Sequence, residues 1–114
     1  MSAITTHVLD TARGRPAAGV GVVLERQGTD NGWQPIGSGA TDADGRLRTL
    51  MPDAGSAPPG TYRLTFRVRE YFAAQGIASF YPLVTVTFDV PDGEAHHHVP
   101  LLVSPFGYTT YRGS

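Results

Sequence analysis

The chain is expected to fold as an all-β sandwich, and three observations lead to that expectation. Apolar and polar residues alternate along several runs, most regularly in residues 62–68 and 84–90, as in strands with one buried face. Turn dipeptides separate such runs, at Asn31-Gly32, Asp44-Gly45 and Asp92-Gly93. The composition, with 40% apolar and 17% charged residues, allows residues 1–114 to form one domain with a buried core. Short strands at this spacing are typical of a sandwich.

The same patterns predict each element in order along the chain. Strands are expected over residues 4–9, 20–27, 34–41, 62–68, 84–90, 96–103 and 108–112. Residues 70–75 are good helix formers and precede Gly76, a residue type that commonly ends helices, so one short α-helix is expected near residues 70–76. Residues 52–60, rich in Pro, Gly, Ala and Ser, are expected to form a loop.

The bulk composition excludes several classes of function. A net charge of −1 lacks the surplus of Lys and Arg with which nucleic-acid binders neutralise phosphates. The absence of cysteine excludes disulfides, thiolate metal sites and cysteine nucleophiles. Apolar stretches are far shorter than the roughly 20 residues of a membrane span, and residues 1–6 do not resemble a signal peptide. A cytoplasmic location is therefore expected, although a periplasmic protein whose leader had been removed would look the same.

Histidines are the first candidates for chemistry. His7 lies in the first strand, opposite the apolar face, where its ordinary role would be a half-buried side chain bonded to a neighbouring backbone group. Alternation places His96 and His98 on one face of their strand and His97 on the other. His96, His98 and His7 could in principle hold zinc. The third ligand would have to come from a distant strand and Arg112 would repel a cation, so metal-free acid–base chemistry is favoured.

Arginine, tyrosine and serine supply the other candidates. Arg46 follows a turn and would ordinarily be a surface residue, but its guanidinium can clamp a planar anion or a pair of carbonyls. Tyr108 and Tyr111 would ordinarily be edge-strand aromatics. Ser114 is a doubtful nucleophile because the last residue of a chain is seldom held rigidly. The tail, residues 111–114, nevertheless carries hydroxyls and a cation that would be more useful docked in a pocket than exposed. No nucleophile elbow, phosphate-binding glycine loop or dinucleotide fingerprint occurs.

Several segments, in order along the whole chain, resemble one family. They are Thr6-His7-Val8-Leu9-Asp10, Asp42-Ala43-Asp44-Gly45-Arg46, Gly60-Thr61-Tyr62 with Tyr71-Phe72, and His96-His97-His98-Val99-Pro100-Leu101-Leu102 leading to Tyr111-Arg112-Gly113-Ser114. Together they resemble the 5-hydroxyisourate hydrolases, the transthyretin-related enzymes of urate breakdown. The terminal tetrapeptide is the specific element, because the hormone-carrier transthyretins resemble the fold without that ending.

The resemblance implies an eight-stranded, two-sheet sandwich with one short helix. It also implies a homotetramer built as a dimer of dimers, with active sites in the channel between dimers. The implied reaction adds water to a ring carbonyl of 5-hydroxyisourate and opens the six-membered ring, giving 2-oxo-4-hydroxy-4-carboxy-5-ureidoimidazoline without a metal or cofactor.

The resemblance also implies roles for particular residues. The catalytic residues would be His7, Arg46, His98 and Ser114, and His7, Arg46, Tyr111 and Arg112 would bind the substrate. Either His98 or His7 would take a proton from the attacking water. The family commonly has His-Tyr-His before Val-Pro-Leu-Leu, whereas the middle residue here is His97. Because His97 faces away from His98, we expect that difference to leave the site unaffected.

Two other functions are compatible with a sandwich of this kind. A carrier would bind a hydrophobic ligand in the channel and needs an apolar lining, whereas His7, Arg46, His98 and Arg112 would make the channel polar and cationic. An extracellular adhesion or structural domain would need neither converging histidines nor a tetramer.

Overall fold

The computed structural model describes residues 3–51, 57–91 and 96–114 of the chain. Within these ranges the strands are β1 (Ile4–Asp10), β2 (Arg15–Pro16), β3 (Gly21–Gln27), β4 (Trp33–Ala40), β5 (Arg46–Leu47), β6 (Gly60–Phe66), β7 (Val84–Val90), β8 (His97–Ser104) and β9 (Gly107–Thr110), and the helix is α1 (Val68–Ala73). The predicted turn at Asp92-Gly93 and most of the predicted 52–60 loop lie outside the described residues.

The strands form two sheets packed face to face. One sheet has the order β2-β1-β8-β9, with β5 also pairing with β1, and the other has the order β4-β3-β6-β7. The pairing of β1 with β8 is parallel, and its register places Thr5 beside His98. The antiparallel pairing of β1 with β5 places His7 beside Arg46. Three distant parts of the chain therefore meet in one sheet.

The core lies between the sheets and is built from the side chains that point inward at alternate positions along the strands. In β1, Ile4 and Val8 are fully buried, and in β8, Leu101 is fully buried on the same side. The largest buried side chains include Tyr62 and Phe66 of β6. This alternation is the pattern by which the strands were predicted, and the two-sheet sandwich with one short helix is confirmed.

Several element boundaries differ from the predicted ones by one or more residues. Helix α1 begins at Val68, inside the predicted strand, because Val68 and Phe72 are four residues apart and both pack into the core. The turn after α1 closes at Gly76, whose φ of 71° is readily adopted by glycine. Strand β9 ends before Tyr111. The described residues contain nine strand segments, against the seven that alternation predicted and the eight that the resemblance implied. The two that alternation did not predict are β2 and β5, which are two-residue pairings along β1.

Candidate active site

A cavity of about 350 Å³ lies on the outer face of the sheet that contains β1, β5 and β8. Its lining residues are Thr5, Thr6, Arg46, Arg48, His96, His98 and Ser114. It collects imidazole, guanidinium and hydroxyl groups in one concave space, which is the arrangement expected of a site for acid–base chemistry on a polar ligand.

A tight turn places Arg46 at this cavity. The Asp42 carboxylate accepts hydrogen bonds from the backbone N–H groups of Asp44, at 2.9 Å, and Arg46, at 3.0 Å. These bonds, that from Arg46 first, lower the pKa of the Asp42 carboxyl despite the opposing effect of desolvation. Gly45 closes the turn with a φ of 76°, a conformation that other residues rarely adopt. The turn thus presents Arg46 as the first residue of β5.

His98 is held by the hydroxyl of Thr5. Thr5 Oγ1 lies 2.8 Å from His98 Nδ1 and 3.2 Å from His96 Nε2. Within the described parts of the chain, the other ring nitrogen, His98 Nε2, makes no hydrogen bond. Burial lowers the pKa of His98, and the positive charge of Arg46 lowers it further. His98 is therefore neutral at neutral pH and has one ring nitrogen available to a ligand.

The carboxyl-terminal tail is docked against the same histidine. The backbone N–H of Gly113 donates to the carbonyl oxygen of His98 at 2.8 Å, which forms an isolated bridge beyond the end of β9. A Cβ atom added to Gly113 would lie 2.7 Å from His98 Cδ2 and 3.1 Å from Pro100 Cγ, so only glycine permits this approach. Docking of the tail places Ser114 in the wall of the cavity.

His7 is near the cavity but does not line it. It lies on the outer face of β1, as predicted, and its Nε2–H donates to the carbonyl oxygen of Asp44 at 2.9 Å. The bond ties β1 to the turn that carries Arg46. Since a carbonyl only accepts hydrogen bonds, His7 Nε2 carries a proton in this arrangement and cannot accept another.

The predicted site residues other than His7 fall into two groups, those that line the cavity and those that do not. Arg46, His98 and Ser114 come together in the cavity, whereas Tyr111, 56% exposed, and Arg112 do not line it. His97 is 4% exposed and shares the inward face with the buried core residues of β8, as alternation predicted.

Thr5 and Arg48 line the cavity but were not singled out from the sequence. Both lie two residues from a predicted site residue, Thr5 before His7 and Arg48 after Arg46. The period of a strand could have indicated them, because residues two apart share a face.

A larger cleft, of about 730 Å³, lies elsewhere, between residues 13–21 and α1. Its charged lining residues are Arg13, Arg15, Arg67 and Glu70, and it contains no histidine. Because it offers no group that titrates near neutral pH, the smaller cavity is the better candidate for catalysis.

Metal-binding clusters and membrane-spanning helices are both absent from the described residues. No three His, Cys, Asp or Glu side chains among them are grouped so as to hold a metal ion. No helix in these ranges has the length and apolar character needed to cross a membrane.

The fold and the cavity define a class of protein, the transthyretin-like β-sandwiches. Transthyretin from Sparus aurata matches with a TM-score of 0.91 at 33% identity, covering 99% of this chain and 97% of that chain. The 5-hydroxyisourate hydrolase of Klebsiella pneumoniae matches with a TM-score of 0.85 at 36% identity, covering 99% and 100%. A 5-hydroxyisourate hydrolase of Deinococcus radiodurans is 47% identical over 114 residues, covering 97% of this chain and 95% of the relative. The HIUase/Transthyretin family profile matches residues 4–113, and the chain belongs to that family.

Proposed function

We propose that this chain is a 5-hydroxyisourate hydrolase, which adds water to a ring carbonyl of its substrate in urate breakdown. The observation that carries the proposal is the pairing of a neutral, half-buried His98 with Arg46 in the wall of one cavity. Relatives that cover nearly the whole chain are named for this activity.

His98 is the general base of the proposed mechanism. Its Nε2 takes a proton from water as the water oxygen forms a bond to the ring carbonyl carbon. The ring C–N bond then breaks, and the imidazolium returns the proton to the departing nitrogen. General base catalysis of this kind contributes about 10²–10⁴-fold. His7 is the weaker candidate for the base because its Nε2–H is engaged by Asp44.

Arg46 stabilises the negative charge that develops in the transition state of the proposed reaction. The attacked carbonyl oxygen gains negative charge as water adds, and a guanidinium already held in place stabilises that charge without having to reorganise. The turn closed by Asp42 and the position of Arg46 on β5 support this role. Loss of one such donor typically costs about 3–4 kcal/mol of transition-state stabilisation. Ser114, in the same wall, would orient the water or the ring through its hydroxyl.

A homotetramer with sites between dimers completes the proposal. Strands β7 and β9 are edge strands, and exposed edges of this kind are ready to pair with another chain. Large apolar side chains are exposed, among them Phe106 at 71% and Phe80 at 68%. Tyr111 and Arg112, which do not line the cavity of their own chain, could reach the substrate from this assembly. The cytoplasmic location expected from the sequence stays a prediction.

A hormone-carrier function is the second candidate, and one observation favours it. The likeness to transthyretin, with a TM-score of 0.91, exceeds that to the Klebsiella hydrolase, at 0.85. The fold alone therefore does not separate the two functions. The cavity favours the hydrolase, because two arginines and two histidines in its lining suit a polar substrate better than a large apolar ligand.

The proposal is tested by generating 5-hydroxyisourate from urate with urate oxidase and adding the protein. Loss of the near-ultraviolet absorbance should be faster than the spontaneous decay and should be insensitive to a chelator such as EDTA. Decay at the spontaneous rate would refute the hydrolase and favour the carrier. Inhibition by EDTA that zinc reverses would refute the metal-free mechanism.

A further inference from the structure

The hydroxyl of Thr5 lies between two imidazole rings. Thr5 is 3% exposed, and its Oγ1 is 2.8 Å from His98 Nδ1 and 3.2 Å from His96 Nε2. The parallel register of β1 and β8 produces this contact, because it sets Thr5 directly beside His98 on the outer face. His96, two residues before His98, reaches the same hydroxyl from the end of that strand.

The hydrogen count of a hydroxyl limits how the three groups can be bonded. A threonine hydroxyl has one hydrogen, so it donates to at most one ring and accepts from the other. If Thr5 donates to His98 Nδ1, the proton of neutral His98 is on Nε2. If Thr5 accepts from His98 Nδ1–H, it donates to His96 Nε2, and His98 Nε2 has a lone pair.

The charges around His98 select between these two arrangements. The guanidinium groups of Arg46 and Arg48 face it from the β5 segment, and the imidazoles of His7 on β1 and of His96 on its own strand also lie near it. An N–H at Nε2 would add a positive dipole end to a cavity that already has two guanidinium groups, whereas a lone pair there is attracted to them. The tautomer with its proton on Nδ1 is therefore favoured.

We propose that Thr5 is a positioning residue that holds His98 in the tautomer protonated on Nδ1, with His96 as the acceptor that orients the Thr5 hydroxyl. The inference rests on the proposed function, since it assigns the lone pair of Nε2 to the base step. It adds a part of the site that the sequence did not single out. The three side chains form a hydrogen-bond relay, in which His98 donates to Thr5 and Thr5 donates to His96.

The arrangement has a mechanistic consequence. When Nε2 takes a proton from water, His98 becomes an imidazolium that keeps its bond from Nδ1–H to Thr5. None of the three hydrogen-bonded side chains therefore has to rotate. In the opposite arrangement, Nε2 would be protonated before the reaction and could not act as a base. Thr5 thus influences the fraction of His98 whose Nε2 is unprotonated, rather than the affinity for the substrate.

The test compares Thr5→Val, which keeps the branched shape without the hydroxyl, with Thr5→Ser, which keeps the hydroxyl. We expect Thr5→Val to lower kcat about tenfold, the size of one lost hydrogen bond, with KM within about twofold and the melting temperature little changed. Thr5→Ser should stay near wild type. Nitrogen-15 NMR of the imidazoles should find the His98 proton on Nδ1 in the wild type and in Thr5→Ser. In Thr5→Val a larger share of it should be on Nε2, because Nδ1–H then has no hydroxyl to accept its hydrogen bond.

Several results would overturn the inference. They are wild-type kcat in Thr5→Val, an equal loss in Thr5→Ser and Thr5→Val, or a wild-type His98 protonated on Nε2. If Thr5→Val does not fold, His96→Phe removes the acceptor from an exposed position, and it should lower kcat in the same direction by a smaller factor. The NMR measurement needs no substrate, so it tests the tautomer even if the wild-type protein fails to hydrolyse 5-hydroxyisourate.

Discussion

Gly113 approaches His98 in two ways: its N–H donates to the His98 carbonyl at 2.8 Å, and a Cβ atom placed on it would lie only 2.7 Å from Cδ2 of the imidazole. With Thr5 at Nδ1 and Gly113 beside Cδ2, the ring is held from two sides. The tail therefore does more than deliver Ser114, because it also restricts the orientation of the proposed base.

Replacing Gly113 should impair turnover more than stability. A Cβ in Gly113→Ala would lie 2.7 Å from His98 Cδ2, so either the ring or the tail must move, and we expect kcat to fall at least about tenfold. Gly107→Ala is the matched control, because its Cβ would meet only Ser104 Oγ at 3.7 Å, an ordinary contact. Steady-state kinetics and thermal melting of both variants provide the measurement. Equal kinetics in the two variants would show that the approach of Gly113 has no part in catalysis.

His98 and His7 should differ in their contributions to turnover. His98→Asn removes the proposed base and should lower kcat by about 10²–10⁴-fold with little change in melting temperature. His7→Gln keeps an N–H donor for the Asp44 carbonyl and should cause a much smaller loss. Single-turnover assays of both variants make the comparison. A larger loss in His7→Gln than in His98→Asn would assign the base to His7 instead.

The acid limb of the activity profile should lie below pH 6.5. Burial and then Arg46 lower the pKa of His98 from its ordinary value of 6.5, so the neutral base is retained until the pH falls through that lowered value. Stability from this group falls in the same direction, since below pH 6.5 the unfolded chain binds the proton more readily than the folded protein does.

The variant Arg46→Ala tests the second cause of this shift. Removing the guanidinium should raise the pKa of His98 and move the acid limb to higher pH. It should also lower kcat by about 10²–10³-fold through loss of the charge-stabilising donor. The measurement is kcat/KM against pH for both proteins at constant ionic strength. An acid limb that stays in place in Arg46→Ala would exclude Arg46 as a cause.

Stability should depend on a buried group away from the cavity. Asp10 is 1% exposed, and its carboxylate accepts from the N–H groups of Ala12 and Arg13, each at 3.0 Å, and from the Tyr71 hydroxyl at 2.8 Å. Tyr71→Phe removes the last bond and should lower the free energy of unfolding by about 1–3 kcal/mol. Turnover well below the melting temperature should stay at the wild-type level. Urea unfolding and the hydrolysis assay check the two parts, and a large loss of turnover would place Tyr71 in the active machinery.

Local pattern accounts for most of the fold and for part of the site. The alternation in β1 and β8 was enough to orient His7, His97 and His98, because a strand has a period of two whatever it pairs with. The start of α1 was missed because Val68 is buried in both a strand and a helix pattern, so burial alone does not distinguish them.

The longer strands, the turns, the outward face of His7 and His98 and the family resemblance were readable from the residues, because each depends on the sequence itself. The partners of those residues were not. The parallel register that sets Thr5 beside His98, the approach of Gly113 to its ring and the bond from His7 to Asp44 join segments 15 to 93 residues apart. Such contacts arise only when the sheets pack and the tail docks, and no local periodicity encodes which distant hydroxyl or backbone group will meet a given imidazole.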